Sequence, residues 1–170
     1  MDLDAAIRAR RTHKQFGADP VDETTLRELF ELARFAPNHH LTQPWRFRVL
    51  GPETRRRIDE LAGEKEAVKL RRAPTLVLAT ALLAGGSARD DAEDLHAVAC
   101  AVYAVLLGAT ARGLASYWRT PGAFDDPAVR GLLDLAPAET IVALIHLGPP
   151  LSRPPDKDRA PLDDVLAWLP

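Results

Sequence analysis

The sequence predicts a layered domain of α-helices and β-strands, of the α/β or α+β class. Four segments carry strand-like patterns, and segments with helical periodicity separate them along the chain. The 170 residues suffice for a core, and we expect residues 1–170 to form a single domain. The composition, with 46% hydrophobic and 27% charged residues, is ordinary for a globular domain.

The first two predicted elements are helices. Residues 2–11 place Leu3, Ala6 and Ile7 on one side of a short helix. A second helix begins after Asp22, which is placed as an N-cap, and stops before Pro37. Its apolar residues recur at intervals of three and four: Leu26, Leu29, Phe30 and Ala33.

The central part of the chain alternates strand and helix signals. Residues 45–50 alternate apolar and charged side chains, which is typical of a half-buried strand. A charged helix is predicted over 53–72, and the continuous apolar run 75–83 predicts a central strand. The longest helix is predicted over 90–112, apolar nearly all round and therefore buried, with Cys100 as filler rather than a reactive thiol.

The last third of the chain repeats this alternation. Gly113 is placed just after the long helix, and residues 114–120 form the third predicted strand. An Asp-Pro pair opens a short helix over 126–135, and residues 140–148 form the fourth strand. A proline-rich tail then runs extended and closes with a helical turn or two.

Charge and cysteine content exclude several classes of protein. A formal net charge of −2 argues against an extended surface for nucleic acid or membrane. The single cysteine excludes an intramolecular disulfide framework, and the charged N-terminus does not resemble a signal peptide. The apolar run 97–109 is too short to span a bilayer. We therefore expect a cytoplasmic protein.

A basic cluster occupies residues 8–16, R-A-R-R-T-H-K-Q-F, where a helix passes into a loop. Arginine forks and a threonine hydroxyl match the oxygens of a phosphate, so the cluster could form an anion cradle. The alternative is a solvated basic surface, which the dipole favours at a helix C-terminus.

The stretch R-F-A-P-N-H-H-L-T-Q-P-W, residues 34–45, holds the adjacent pair His39 and His40. Adjacent side chains rarely converge on one ion and no further ligand spacing supports them, so no metal site is predicted. His96 and His146 stand alone in apolar segments and are interpreted as satisfied core histidines. Neither a nucleophile motif nor a catalytic acid–base set is present, so no catalytic side chain is assigned.

Two further clusters combine basic and aromatic or extended residues. Y-W-R-T-P-G, residues 117–122, ends a strand, and D-K-D-R-A-P-L, residues 156–162, lies in the tail. Each has a simpler interpretation. The first could be a core tryptophan beside an arginine at the edge of the sheet, and the second a solvated tail. Taken together, the clusters suit an enzyme whose chemistry belongs to a bound, phosphorylated, planar cofactor.

The motifs resemble those of the FMN-dependent nitroreductase family. R-R-T-H-K-Q-F is similar to its R-R-S-x-R-x-F element, and A-P-N-H-H-L-T-Q-P-W to its A-P-S-x-x-N-x-Q-P-W strand entry. G-L-A-S-Y-W-R-T, I-H-L-G-P-P and K-D-R-A-P-L-D-D-V resemble later family segments, in the family's order. The short length is similar to a minimal bacterial branch of NAD(P)H nitroreductases.

This resemblance implies an α+β fold with a central mixed sheet flanked by helices and a C-terminal tail exchanged within a homodimer. FMN would lie at the dimer interface. The implied phosphate and ribityl contacts are Arg10, Arg11, Thr12, Lys157 and Arg159. The implied flavin contacts are Phe35, Pro37, Asn38 and His39 from the other subunit, and Trp118, Arg119 and Thr120.

The chain departs from the family pattern at several positions. Thr12 stands for the usual serine and Lys14 for the usual arginine, while Leu41 replaces an asparagine that contacts flavin in larger members. Residues 51–74 leave no room for the extra helices that cover the active site in those members.

The resemblance implies a ping-pong oxidoreductase that transfers a hydride from NADH or NADPH through FMN to a nitroaromatic, a quinone or a similar conjugated acceptor. Arg119 would stabilise the reduced flavin. The alternatives are a protein that stores FMN with little turnover, and another flavin chemistry on the same scaffold.

Overall fold

The computed structural model describes residues 1–170 and confirms the α+β class. Six α-helices and four β-strands follow one another along the chain. In order they are α1 Leu3–Ala9, α2 Glu23–Ala33, β1 Trp45–Val49, α3 Pro52–Ala62, α4 Glu64–Leu70, β2 Thr75–Leu82, α5 Ala88–Ala111, β3 Ala115–Arg119, α6 Pro127–Leu132 and β4 Glu139–Gly148. Short 3₁₀ turns cover His39–Leu41, Gly122–Asp125 and Leu162–Asp164.

The four strands form one sheet in the order β1-β2-β4-β3, and every neighbouring pair is antiparallel. The resemblance predicts a mixed sheet. Here the parallel component is limited to one isolated bridge between Thr12 and Ser116, at the edge formed by β3. That bridge fixes the N-terminal basic cluster beside the start of β3.

The two central strands are buried on both faces. Alternate residues such as Val77 and Ile145 pack with α2 and α5 in one apolar cluster. The residues between them, such as Leu76 and Leu144, pack with α3 and α6 in a second cluster on the opposite face. Because successive side chains of a strand point to opposite faces, burial on both sides requires the continuous apolar runs seen in β2 and β4.

Side-chain caps set the helix starts. Asp22 accepts a hydrogen bond from the backbone N–H of Thr25, as predicted, and Asp126 accepts one from Ala128. Ser87 caps α5 through the N–H of Asp90, so this helix begins earlier than the predicted residue 90. Gly113 follows α5 with φ of 73°, which confirms its predicted place after the helix.

The predicted helix over 53–72 is wrong, since the chain forms two helices there. Gly63 divides α3 from α4 with φ 75° and ψ 158°, a conformation essentially confined to glycine. The division lets Ile58 and Leu70 both reach the core, although they lie in different helices.

Replacing Gly63 by alanine is expected to lower the free energy of unfolding by about 1–3 kcal/mol. No atom lies within 4 Å of the added methyl group, so the loss would come from the backbone alone. Gly131→Ala is the matched control, because its methyl group also meets no atom and its position in α6 favours alanine by up to about 1 kcal/mol. Urea unfolding of both variants measures the difference, and equal stabilities would contradict the strain at Gly63.

The expectation that α5 is buried all round is wrong. Only 50% of its most apolar 18-residue stretch is buried, on the side that packs on α2 and the sheet. The exposed side holds His96, Cys100 and Tyr103. Cys100 is therefore not core filler, and His96 is not a core histidine. By length and composition alone α5 could cross a membrane, but a core helix passes the same criteria.

Apolar side chains are exposed at several other places on the chain. In α1 only Ala6 is buried, while Leu3 and Ile7, predicted on the same side, remain exposed. Phe35 and Trp168 are 80% and 88% exposed. The tail after β4 exposes the largest set: Leu151, Leu162, Val165, Leu166, Trp168 and Leu169.

Candidate functional site

A cationic cleft of about 540 Å³ lies between the N-terminal segment and the C-terminal tail. Five basic side chains line it, and a hydroxyl group stands at each of two further positions. The lining residues are Arg10, Arg11, Thr12, His13, Lys14, Gln15, Ser152, Pro154, Pro155, Lys157 and Arg159. The structure thus brings together all five residues predicted for the phosphate and ribityl contacts.

Backbone pairing holds the N-terminal wall of this cleft. After α1 the chain runs extended along β3, where the N–H of His13 donates to the carbonyl of Ser116 at 3.0 Å. Phe16 is buried and pairs with Pro150 in an antiparallel bridge, and Gly17 donates to the Pro149 carbonyl at 2.8 Å. The segment is therefore anchored at both ends by the sheet and its continuation.

The second wall is the tail that follows β4. The bridge at Pro150 brings it back beside the N-terminal segment, and the Ser152 hydroxyl donates to the side-chain oxygen of Gln15 at 3.1 Å. Pro154 and Pro155 each fix their own φ and disfavour a helical conformation in the residue before them, which favours an extended backbone in this part of the tail. Lys157 and Arg159 consequently face the same cleft as the N-terminal cations.

Arg11 is the most constrained cation of the cleft, with a side chain only 17% exposed. Its Nη1 donates to the carbonyls of Arg8 and Arg10 at 2.5 and 2.9 Å. Its Nη2 donates to Asp156 Oδ1 at 2.5 Å, while its Nε is buried and has no acceptor. A phosphate group carries the several oxygens that this partly unused edge could bind, so the donor set fits a phosphate ester.

The predicted flavin-wall residues Phe35, Pro37, Asn38 and His39 do not line this cleft within one chain. His39 Nδ1 instead lies 2.5 Å from Glu93 Oε2, and this hydrogen bond is the main cause that lowers the pKa of Glu93. Its ring stacks on that of His40, with centroids 3.8 Å apart.

A polar network shapes the loop that follows. Asn38 accepts from the Gln43 N–H at 2.6 Å and donates to Thr42, whose hydroxyl donates to the buried carboxylate of Asp94 at 2.5 Å. Three non-glycine residues of this loop have positive φ: His40, Leu41 and Gln43. The network stabilises a backbone conformation that is otherwise unfavourable.

The end of β3 carries the third predicted group. The indole Nε1 of Trp118 donates to the Val142 carbonyl at 3.1 Å, on the sheet face covered by α2 and α5. Arg119 points to the opposite face and forms a largely buried ion pair with Glu66 of α4. Thr120 is exposed. Trp118 and Arg119 therefore lie on opposite faces of the sheet.

His146 is fully buried in β4, and neither ring nitrogen has a hydrogen-bond partner. The sequence predicts a core histidine whose ring nitrogens have hydrogen-bond partners. The predicted burial is confirmed, but the predicted hydrogen bonds are absent. Its ring lies between Phe16 and Tyr117, with centroids 6.4 and 5.4 Å away. Burial, together with the nearby guanidinium groups of Arg119, Arg55 and Arg72, lowers its pKa to about 3.

Replacing His146 by leucine is expected to remove part of the acid sensitivity of the fold. Because burial lowers the pKa of His146 in the folded chain, this side chain is protonated below pH 6.5 in the unfolded chain but stays neutral in the folded chain until the pH approaches 3. Stability therefore falls as the pH drops from 6.5 towards 3. Between pH 6.5 and about pH 5, the wild type should lose about 2 kcal/mol more than the variant.

Urea unfolding at the two pH values measures this difference. His96→Gln is the control, because it removes a histidine from the exposed side of α5. An equal loss of stability in His146→Leu and the wild type would contradict the role of His146.

Three lining residues of the cleft lie outside the predicted clusters: Ser152, Pro154 and Pro155. His13, Lys14 and Gln15 belong to the predicted basic cluster but were not assigned as contacts. The hydrogen bond between Ser152 and Gln15 depends on the pairing of Phe16 with Pro150. Only the return of the tail to the N-terminal segment identifies them.

Comparison with known proteins agrees with the motifs. The Nitroreductase family profile matches residues 7–73 and 62–149. A Bacillus subtilis protein named "Putative NAD(P)H nitroreductase YfhC" is 29% identical over 175 residues, covering 93% of this chain and 89% of its own.

Solved structures share the fold over nearly the whole chain. A nitroreductase-like family protein from Bacillus cereus superposes with a TM-score of 0.88 at 22% identity, covering 99% of this chain and 96% of its own. A Desulfovibrio desulfuricans protein, described as a "putative nitroreductase in complex with fmn", has a TM-score of 0.82 at 27% identity, with the same coverage. Since the family profile extends over most of the sequence, this chain belongs to the nitroreductase family.

Proposed function

We propose that the protein is an FMN-dependent oxidoreductase that takes a hydride from NADH or NADPH and reduces nitroaromatics, quinones or similar conjugated acceptors. The observation that carries the proposal is the cationic cleft, whose donors fit a phosphate ester. The relative described as an FMN complex, at 27% identity, supports FMN as the ester. The relative named for NAD(P)H supports a nicotinamide as the reductant.

The FMN phosphate and ribityl chain would be held by Arg10, Arg11, Thr12, Lys157 and Arg159. Four of these five side chains are cations, and a phosphate monoester carries nearly two negative charges at neutral pH, so the cleft and the ligand are complementary. The two walls of the cleft come from opposite ends of the chain, and phosphate binding would fasten them together.

The isoalloxazine ring would lie along the end of β3, beside the backbone of Trp118, Arg119 and Thr120 of one subunit, because the side chains of Trp118 and Arg119 lie on opposite faces of the sheet. The other contacts would come from the partner subunit: Phe35, Pro37, Asn38 and His39. FMN supplies the hydride chemistry when bound, so the protein needs only to bind and orient it and to shape the electrostatic environment. Arg119 is already paired with Glu66, so the positive potential it adds at the ring would be weaker than that of a free cation.

A homodimer follows from the same proposal, with one binding site at each end of the interface. The exposed apolar residues of α1, α5 and the tail support it, because a monomer rarely exposes so many large apolar side chains. Light scattering should give about twice the chain mass of 18.6 kDa. We further propose that residues 1–170 act as one domain in the cytoplasm, with no metal ion, nucleic acid or membrane as a partner.

Binding and reduction of the cofactor test the proposal first. The purified protein should be yellow, should gain thermal stability from added FMN, and should lose its colour when NADH or NADPH is added under nitrogen. A colourless protein that FMN does not stabilise would overturn the proposal.

Turnover then distinguishes catalysis from FMN storage. Oxidation of NADH and NADPH is followed in the presence of nitrofurazone or menadione, with free FMN at the same concentration as the control. A rate well above free FMN supports the oxidoreductase. A rate equal to free FMN, with FMN still tightly bound, indicates storage.

A further inference from the structure

We propose that Asp156 is an internal competitor of the ligand phosphate and lowers the affinity of the cleft for FMN. Its carboxylate binds the guanidinium edge of Arg11 that the phosphate would use, and the incoming phosphate displaces it. This inference rests on the proposed function, because it concerns the same phosphate site.

The position of Asp156 on Arg11 is the first observation. Asp156 Oδ1 accepts from Arg11 Nη2 at 2.5 Å, and Arg153 approaches the same oxygen at 3.5 Å. The hydrogen bond from Arg11 lowers the pKa of Asp156, so the carboxylate stays charged at neutral pH. A negative charge therefore lies on a cation whose side chain is only 17% exposed.

The incomplete use of Arg11 is the second observation. The Nε and Nη2 hydrogens lie along one edge of the guanidinium and can bind two oxygens side by side. Asp156 takes only Nη2, while Nε is buried and has no acceptor. Asp156 thus fills half of a site that a phosphate, with three free oxygens, could fill completely.

The third observation shows that Arg11 does not need Asp156 for its orientation. Its Nη1 is already held by the carbonyls of Arg8 and Arg10 at the end of α1. Removing Asp156 would leave these two bonds in place, and Nη2 would join Nε in lacking an acceptor. We therefore expect Asp156 to compete with the phosphate for Arg11, and not to hold Arg11 in the orientation that binds phosphate.

Asp156 is also free to move away. Its side chain is 68% exposed and belongs to a tail segment without regular secondary structure. Because water reaches the Asp156 side of the pair, the ion pair is weaker than a fully buried one, and a ligand with more charge and more oxygens can replace it. The exchange involves no covalent step: Arg11 changes its acceptor, and Asp156 returns to water.

The test compares Asp156→Asn with Asp158→Asn. Both variants remove one negative charge from the tail, but Asp158 forms no ion pair. Affinities for FMN and for riboflavin, which lacks the phosphate, are measured by quenching of flavin fluorescence in the wild type and both variants.

If Asp156 competes, Asp156→Asn should bind FMN about two- to fivefold more tightly than Asp158→Asn. Riboflavin affinity should be the same in both variants. Equal or weaker FMN binding by Asp156→Asn overturns the inference while leaving the proposed function intact. An equal gain for riboflavin also overturns it, because the effect would not involve the phosphate. If no form binds FMN, the proposed function fails, and the inference fails with it.

Discussion

Replacing Arg48 by methionine is expected to lower the free energy of unfolding by about 3–5 kcal/mol. Arg48 of β1 reaches across β2 to Glu139 at the start of β4, and its two terminal nitrogens donate to the two carboxylate oxygens at 2.6 and 2.8 Å. The Glu139 side chain is only 6% exposed. Without Arg48, its charge would stay buried with only the Thr80 hydroxyl at 2.5 Å and one long backbone contact.

The same ion pair predicts a pH dependence. Hydrogen bonds from Arg48 are the main cause that lowers the pKa of Glu139 to about 2, from an ordinary value of 4.5. Because the folded pKa lies below the unfolded one, the stabilisation is complete above pH 4.5 and is lost as the pH falls towards 2. In the Arg48→Met variant this part of the acid dependence should be much smaller.

Arg46→Met is the matched control for urea unfolding. Arg46 lies two residues away on the same strand, is exposed, and donates only to nearby backbone carbonyls. Its replacement should change stability by less than about 1 kcal/mol. The double variant Arg48→Met/Glu139→Leu should recover most of the loss, because it removes the buried charge together with its partner. A loss in Arg48→Met no larger than that in Arg46→Met would contradict the role of the ion pair.

The strands could be predicted from the sequence because their hydropathy patterns report burial directly. The continuous apolar runs of β2 and β4 correspond to strands covered on both faces, and the alternation in β1 to a half-buried edge strand. The boundary at Gly63 was missed because a single glycine within a helical pattern is compatible with an uninterrupted helix. The positive φ of Gly63 distinguishes two helices from one continuous helix, and the spacing of apolar residues does not predict that φ.

Burial on α5 could not be predicted for a related reason. A helix that is apolar on every side gives no indication of which side faces the core. The exposed side holds Cys100 and Tyr103, and only packing against α2 and the sheet determines that. His146 shows the opposite error. Its burial follows from the strand pattern, but the lack of hydrogen-bond partners depends on the aromatic rings and arginines that the fold places around it.

The candidate site was predicted in part. Its cations could be located because two short basic motifs suit phosphate, but their convergence depends on long-range pairing at Thr12 and Phe16. The acidic competitor Asp156 directly precedes Lys157 in the sequence and carries the opposite charge. The pattern of charges along the sequence therefore predicts the positive electrostatic potential of the cleft, but it does not predict individual ion pairs such as that of Arg11 with Asp156.

Replacing Arg11 by alanine is expected to weaken FMN binding by about 10²-fold. The change removes the cation whose Nε is buried without an acceptor and whose Nη2 is held only by the exchangeable Asp156. Arg11→Lys should lie between the alanine variant and the wild type, because lysine keeps the charge but lacks the paired donors. Riboflavin binding should be unchanged in both variants, since riboflavin has no phosphate.

Arg8→Ala is the matched control. It removes a cation three residues earlier, within α1, and its side chain forms no ion pair and does not line the cleft. Its FMN affinity should stay within about threefold of the wild type, as expected for a screened charge outside the site. A similar loss in Arg8→Ala and Arg11→Ala would mean that net charge, and not the contact, controls affinity.

The combination Arg11→Ala/Asp156→Asn links this prediction to the competition at Arg11. If Asp156 acts by occupying Arg11, its replacement can tighten FMN binding only while Arg11 is present. The gain from Asp156→Asn should therefore shrink, in the Arg11→Ala background, to the gain given by Asp158→Asn. A gain of the same size in both backgrounds would show that Asp156 repels the phosphate directly, and the guanidinium edge of Arg11 would then not be the shared binding position.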